Sequence, residues 1–107
     1  MIYEFMRLIL FFDLPTFTKQ DIKRYSNFRK LLIQNGYMMI QYSVYSKIFN
    51  NRDAAQKHIS FIQDKAPKHG HIRIMMVTEK QYSKMKIIIG GRTNQENIIT
   101  IDPMLIL

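Results

Sequence analysis

An aspartate that directly follows a run of apolar residues is the first candidate for chemistry. The segment Leu8–Phe12 supplies five large apolar side chains in a row, Asp13 comes next, and residues 14–16 form a turn sequence. A carboxylate at the end of a buried strand is a suitable ligand for a hard cation such as Mg²⁺. The same residue type also favours turns, because its side chain accepts nearby backbone N–H groups. Asp13 is therefore the candidate catalytic and metal-binding residue, with a turn-forming role as the alternative.

The other acidic residues are predicted to have structural surroundings. They fall at helix starts, in polar stretches, in a turn or near the amino terminus (Asp21, Asp53, Asp64, Glu79, Glu96, Asp102 and Glu4). His69 and His71 have a spacing that could hold a metal ion, but no third ligand is evident nearby, so a polar turn that enters a strand is expected. His58 is expected to be a half-buried packing residue. Cysteine is absent, which excludes disulfides and thiolate zinc sites.

A single carboxylate is too few ligands for Mg²⁺, which requires six oxygen ligands in octahedral geometry. A symmetric homodimer would supply the second one, because a two-fold axis can bring both copies of Asp13 together. Two carboxylates about 4 Å apart repel by about 1 to 4 kcal/mol, depending on the local dielectric. A divalent cation between them would reverse that repulsion. The sequence thus links metal binding to dimerisation.

The chain carries a strong positive charge. Sixteen Lys and Arg residues against eight Asp and Glu residues give a formal net charge of +8 over 107 residues. The positive electrostatic potential that this charge produces favours nucleic acid, an acidic protein or an anionic membrane as the partner. The candidates for phosphate contacts lie on one face of the first predicted helix and after the central strands: Lys19, Lys23, Lys30, Lys47 and Arg52. An ordinary solvated helix face is the alternative explanation.

The apolar amino terminus does not match a signal peptide or a membrane helix. Glu4 and Arg7 interrupt it, and no segment of the sequence approaches the ~20 apolar residues that a transmembrane helix needs. We therefore expect a cytoplasmic protein with no membrane partner.

The order of predicted elements indicates an α+β fold. Asp21 follows Thr18 at the spacing of a capping box, and Gly36 is suited to end the first helix. Residues 37–49 are expected to form two short strands that meet near 41–43, or one strand with a bulge. The predicted order is strand 5–12, helix 19–35, strands within 37–49, helix 53–65, strand 71–77, a short helix capped by Thr78, and strands at 85–89 and 98–101. This is a single ferredoxin-like βαββαβ domain spanning 1–107 with an additional C-terminal strand.

Four pieces of the sequence resemble the CRISPR-associated Cas two family, most closely its type II branch. They are the segment MRLILFFDLPT, the helix-ending Gly36, the segment QYSVYSK and the segment VTEKQYSKM. The resemblance spans nearly the whole chain. It implies a ferredoxin-like homodimer in which Asp13 binds Mg²⁺, with phosphodiesterase (endonuclease) activity on RNA or DNA.

The resemblance also implies a role in antiviral defense. The small family subunit bridges copies of the larger CRISPR integrase during spacer acquisition, and its basic surface supports duplex (protospacer) DNA. In that scaffold role the chemistry of the aspartate can be dispensable. One departure bears on the nuclease role, because Met39 stands where many relatives have an arginine in a G-x-x-R-x-Q pattern, although Gly36 and Gln41 match.

Two alternatives to this function stay open. One is a stand-alone, toxin-like endoribonuclease, and the other is a non-enzymatic ferredoxin-like module that binds RNA or an acidic protein. The tail 92–107, which is apolar at its end, is expected to lie at an interface with the second protomer or with the integrase, where it would cover a sheet edge.

Overall fold

In the part of the chain that the structure describes, four strands form one antiparallel sheet in the order β2-β3-β1-β4, and three helices complete the fold. The computed structural model describes residues 4–91. The elements are β1 (Met6–Asp13), α1 (Lys19–Gln34), β2 (Met38–Gln41), β3 (Val44–Phe49), α2 (Arg52–Lys65), β4 (His71–Thr78) and α3 (Glu79–Ser83). This is the predicted ferredoxin-like arrangement. Its sheet order places the first strand between the third and the fourth.

The central strand β1 has two different buried faces. Its alternate residues Met6, Leu8, Leu10 and Phe12 belong to the main core, which α1 and α2 cover with Phe28, Leu32, Ala55 and Ile62. The intervening residues Arg7 and Ile9 are also buried, on the other face of the sheet. The apolar run of β1 is therefore explained by burial of both faces of the sheet near the start of this strand.

The ends of the first helix follow from local sequence. The Thr18 hydroxyl accepts a hydrogen bond from the Asp21 backbone N–H at 3.0 Å, and the Thr18 N–H donates to the Asp21 carboxylate at 3.2 Å. At the other end Gly36 has φ +85°, a conformation that glycine adopts without steric cost. Both predicted signals are confirmed.

The segment 37–49 forms a hairpin of two strands, as one of the two expectations had it. Tyr42 and Ser43 separate β2 from β3, and Ser43 has φ 62°. The pairing register shifts between Met39 and Gln41, so an irregularity accompanies the turn.

The predicted strand at 85–89 is wrong. Residues 84–91 contain neither helix nor strand, and Ile88 and Ile89 are almost fully exposed. The backbone N–H of Met85 instead donates to the Tyr82 carbonyl at the end of α3. An apolar run forms a strand only where a sheet edge pairs with it, and this run pairs with neither edge of the described sheet.

The predicted strand at 98–101 and the tail 92–107 lie outside the described residues. Across 4–91, no helix is both long enough and apolar enough to cross a membrane.

Candidate functional site

Asp13 lies at the end of β1, where an open groove of about 270 Å³ lies across this end of the central strand and its two neighbours. The lining residues are Phe11, Phe12, Asp13, Ser43, Val44, His71 and Arg73. They come from β1, from the turn before β3 and its first residue, and from the first half of β4. The prediction that Asp13 comes at the end of the first strand is confirmed by the fold.

Strand pairing places two further polar side chains beside Asp13. In the antiparallel pairing of β1 with β4, Asp13 is opposite His71 and Phe11 is opposite Arg73. Directly opposed residues point to the same face of a sheet, and diagonal neighbours lie about 7–8 Å apart. A carboxylate, an imidazole and a guanidinium therefore share one groove.

The backbone around Asp13 is held by a glycine in the loop before β4. Gly70 has φ +91°, and a Cβ atom there would lie 2.7 Å from the Asp13 carbonyl oxygen and 2.8 Å from Leu14 Cδ2. The loop thus packs directly against the turn that follows β1, and only glycine fits both the conformation and the space. This packing fixes the backbone position from which the Asp13 side chain extends.

The Asp13 carboxylate is exposed and has no hydrogen bond or ion pair with any residue in 4–91. A turn-forming aspartate would accept local backbone N–H groups, which is not observed here. Within the same range, no group of three or more His, Cys, Asp or Glu residues could hold a metal ion. The described part of one chain therefore offers a free carboxylate but not a full set of metal ligands.

Three of the predicted phosphate-binding residues are free cations on α1. Lys19, Lys23 and Lys30 are exposed and make no ion pair within the described part of the chain. By contrast, Arg24 pairs with Asp21 at 3.1 Å. The helix thus presents a face of unpaired lysines.

The other two predicted phosphate-binding residues have internal partners. The Lys47 ammonium donates to the Asn35 carbonyl at the end of α1, and partial burial lowers the pKa of Lys47. Arg52 donates to the sulfur of Met76 at 3.6 Å, yet its side chain is exposed. Lys47 therefore stabilises the end of a helix, while Arg52 stays accessible.

The histidines outside the groove have the predicted surroundings. His58 is half-buried, shares a 2.9 Å hydrogen bond with the Tyr37 hydroxyl and packs against the rings of Phe49 and Phe61. His69 lies in the exposed turn before β4. Neither contributes to the groove.

The prediction that Glu79 lies in polar surroundings is wrong, because Glu79 is buried. Its side chain is fully buried and binds the guanidinium of the equally buried Arg7, with Arg7 Nε donating to Oε2 at 2.7 Å. The Arg7 guanidinium also lies 4.0 Å from the Tyr82 ring centroid. The motif VTEKQYSKM therefore attaches α3 to β1 and lies away from the Asp13 carboxylate.

Two residues of the groove, both on β4, are not found by reasoning from the sequence. His71 is expected there only as part of a polar turn, and Arg73 is not among the expected site residues. Exposed His71, Arg73 and Met75 alternate with partly buried Ile72 and Ile74, which is the period of a half-covered strand. That alternation indicates which residues share the open face. It does not indicate which of them lies opposite Asp13.

Met39, at which the family resemblance implies an arginine in many relatives, lies on β2 opposite Tyr45 and is not among the residues that line the groove. It is 39% exposed, so a longer cationic side chain would have space at this position. The chain lacks a charge there and has Arg73 in the groove.

Comparison with known proteins agrees with this description. The family model of CRISPR associated protein Cas2 matches residues 6–85. A CRISPR-associated endoribonuclease Cas2 of Acidovorax ebreus is 47% identical over 91 residues, which are 85% of this chain and 89% of the relative. One from Treponema denticola is 47% identical over 85 residues, covering 79% of this chain and 84% of the relative. One from Campylobacter jejuni is 39% identical over 95 residues, covering 89% of this chain and 66% of the longer relative. The chain belongs to the CRISPR associated protein Cas2 family.

Proposed function

We propose that the chain is a CRISPR-associated nuclease that hydrolyses phosphodiester bonds at Asp13, with RNA as its first substrate class. The observation that supports this most is the exposed Asp13 carboxylate, which has no internal partner within residues 4–91 and lies in a groove beside a guanidinium. The relatives that match most of the chain are named endoribonucleases. A carboxylate without an internal partner is available for a metal ion or a proton. A structural carboxylate, by contrast, already forms hydrogen bonds or ion pairs within the protein.

The donor chemistry of the groove fits Mg²⁺ in part. A free carboxylate is a ligand that this ion prefers, and the remaining positions are usually held by water and phosphate oxygens. When bound, Mg²⁺ would supply Lewis-acid activation of the phosphate and of a water molecule. Since each chain has one such carboxylate in its groove, we propose that two copies of Asp13 complete the site in a homodimer.

The open face of the sheet supports dimerisation. Phe11 lines the groove with 38% of its surface exposed, and Met75, which is opposite Ile9, is 48% exposed on the same face. Exposed apolar side chains that adjoin one another can mark an interaction surface, and we assign this surface to a second copy of the chain. Such an interface would lie next to Asp13, so dimer formation and completion of the site would occur together.

The experiment that tests the nuclease proposal uses the purified chain with labelled single-stranded RNA, duplex RNA and duplex DNA. Each substrate is incubated with Mg²⁺ and, separately, with Mg²⁺ plus a chelator. Cleavage of RNA that the chelator stops would support the proposal. No cleavage of any substrate in Mg²⁺ would contradict it.

The lysine face of α1 favours a second function. Lys19, Lys23 and Lys30 are free to bind phosphates, and phosphate binding holds a duplex without reading its sequence. We therefore also propose that the dimer supports duplex DNA and bridges the larger CRISPR integrase. Co-purification of the chain with the integrase, dependent on duplex DNA or enhanced by it, would support this role, and no association in either condition would contradict it.

A further inference from the structure

The Asp13 groove contains a guanidinium to which the proposed nuclease function gives no role. Among the lining residues within 4–91, only Arg73 carries this group. Arg73 is exposed on β4, and its side chain has no ion pair with Asp13 or with any other acid in residues 4–91. Its charge is therefore available to a ligand.

The position of Arg73 relative to Asp13 is set by the sheet. Arg73 pairs with Phe11, and Asp13 is the next residue of β1 on the same face. Such diagonal neighbours lie about 7–8 Å apart, a distance that a long side chain can span. Both side chains can therefore reach one phosphodiester group from adjacent strands without touching each other.

We propose that Arg73 is the phosphate-binding residue of the Asp13 groove and recognises the phosphodiester backbone of single-stranded RNA. A guanidinium binds phosphate through two parallel N–H donors, which fixes the phosphate in orientation as well as in position. Phe11, which is opposite Arg73, and Val44, which is opposite Phe11 on β3, give the same groove an apolar part. A charged hydrogen bond is stronger in partly apolar surroundings than in bulk water. The inference rests on the proposed function for the identity of the ligand.

The test measures RNA affinity in a protein that does not cleave, so that its outcome does not depend on catalysis. Asp13→Asn serves as the background, and Arg73→Gln, Arg73→Lys and Lys65→Gln are each added to it. Lys65 is an exposed cation at the end of α2, on the helix side of the sheet, so its variant controls for the loss of one charge. Binding of a short single-stranded RNA is followed by fluorescence anisotropy at several salt concentrations.

We expect Arg73→Gln to weaken RNA binding roughly tenfold, as for the loss of one charged hydrogen-bonding group, and to lower the salt slope by about 0.7. Arg73→Lys should keep the slope and lose part of the affinity, because the charge remains and the paired donors do not. Lys65→Gln should leave the affinity within about twofold of the background.

Two results would overturn the inference. One is an Arg73→Gln protein that binds RNA as tightly as the Lys65→Gln control. The other is an Arg73→Gln protein that becomes monomeric in sedimentation while the background is dimeric, which would assign Arg73 to the interface between protomers. If the wild-type protein cleaves nothing, only the proposed nuclease activity fails, because the affinity comparison is made without cleavage.

Discussion

Arg7 on β1 and Glu79 on α3 form an ion pair that is fully buried on the sheet face opposite α1 and α2. Glu79 accepts from Arg7 Nε at 2.7 Å and also from Nη2, while Arg7 Nη1 donates to the Ser46 hydroxyl at 3.2 Å. The Tyr82 ring packs on the guanidinium. This network determines where α3 lies and leaves the groove end of the same face open.

Removing one partner of this pair should be strongly destabilising. Glu79→Ala leaves a buried guanidinium without its counter-charge, and we expect the free energy of unfolding in urea to fall by about 3–5 kcal/mol. Asp53→Ala is the control, because its pair with Lys57 at 3.2 Å has both side chains nearly 80% exposed and should contribute little. Equal effects of the two variants would contradict the importance of burial.

Gly70 should be required for the position of Asp13. Gly70→Ala combines a left-handed backbone with a Cβ atom 2.7 Å from the Asp13 carbonyl oxygen, so we expect a loss of roughly 1–3 kcal/mol in unfolding free energy. Because the strain acts on the turn that holds Asp13, cleavage should decrease as well. The control Gly91→Ala places its Cβ in open space and should change neither quantity. Normal stability of Gly70→Ala would show that the loop moves freely away from the turn.

The α1 lysines should dominate the salt dependence of duplex binding. Replacement of Lys19, Lys23 and Lys30 by Glu should weaken binding and lower the salt slope by about 0.9 for each phosphate that the protein no longer neutralises. The control is the matched replacement of Lys57, Lys65 and Lys68 by Glu, which produces the same net charge. Filter binding over a range of salt concentrations distinguishes them. Identical slopes for the two triple variants would place the DNA on another surface.

His58 should make the protein less stable in mild acid. Burial and the nearby Lys47 charge lower the pKa of His58 below its ordinary 6.5. As the pH falls, His58 therefore binds a proton in the unfolded chain before it does so in the folded protein. The contribution of neutral His58 to the free energy of unfolding is fully present above about pH 6.5, and it is lost as the pH drops toward the folded-state pKa. Urea unfolding between about pH 7.5 and pH 5 measures this change.

In the same experiment, His58→Gln should show a smaller loss of stability on acidification. His69→Gln, which changes an exposed histidine, should behave as the wild type does. An unchanged pH dependence in His58→Gln would assign the acid sensitivity to other groups.

Local signals in the sequence are sufficient to predict much of the fold. The Thr18–Asp21 capping box and Gly36 act within a few residues of themselves, so the limits of α1 follow from the sequence. The prediction of a strand at 85–89 is wrong because a strand, unlike a helix cap, depends on pairing with a segment that is distant in the sequence. An apolar pattern alone does not show whether that partner exists.

The candidate site is predictable only at Asp13. Its neighbours His71 and Arg73 come beside it through the pairing of β1 with β4, which joins segments that are distant in the sequence. A period of two residues defines the face of each strand but not the pairing register. The burial of Glu79 is not predictable either, since a charged residue enters the interior only when a specific partner such as Arg7 is already there.

The most direct test of the account is the cleavage of single-stranded RNA in Mg²⁺ by the Asp13→Ala protein and the wild type, with duplex DNA binding and sedimentation measured on the same samples. We expect cleavage to disappear in the variant, while the dimer and its affinity for duplex DNA persist, because the Asp13 carboxylate is exposed and has no hydrogen bond or ion pair with any residue in 4–91. Chelator-sensitive cleavage that survives in Asp13→Ala would contradict the account.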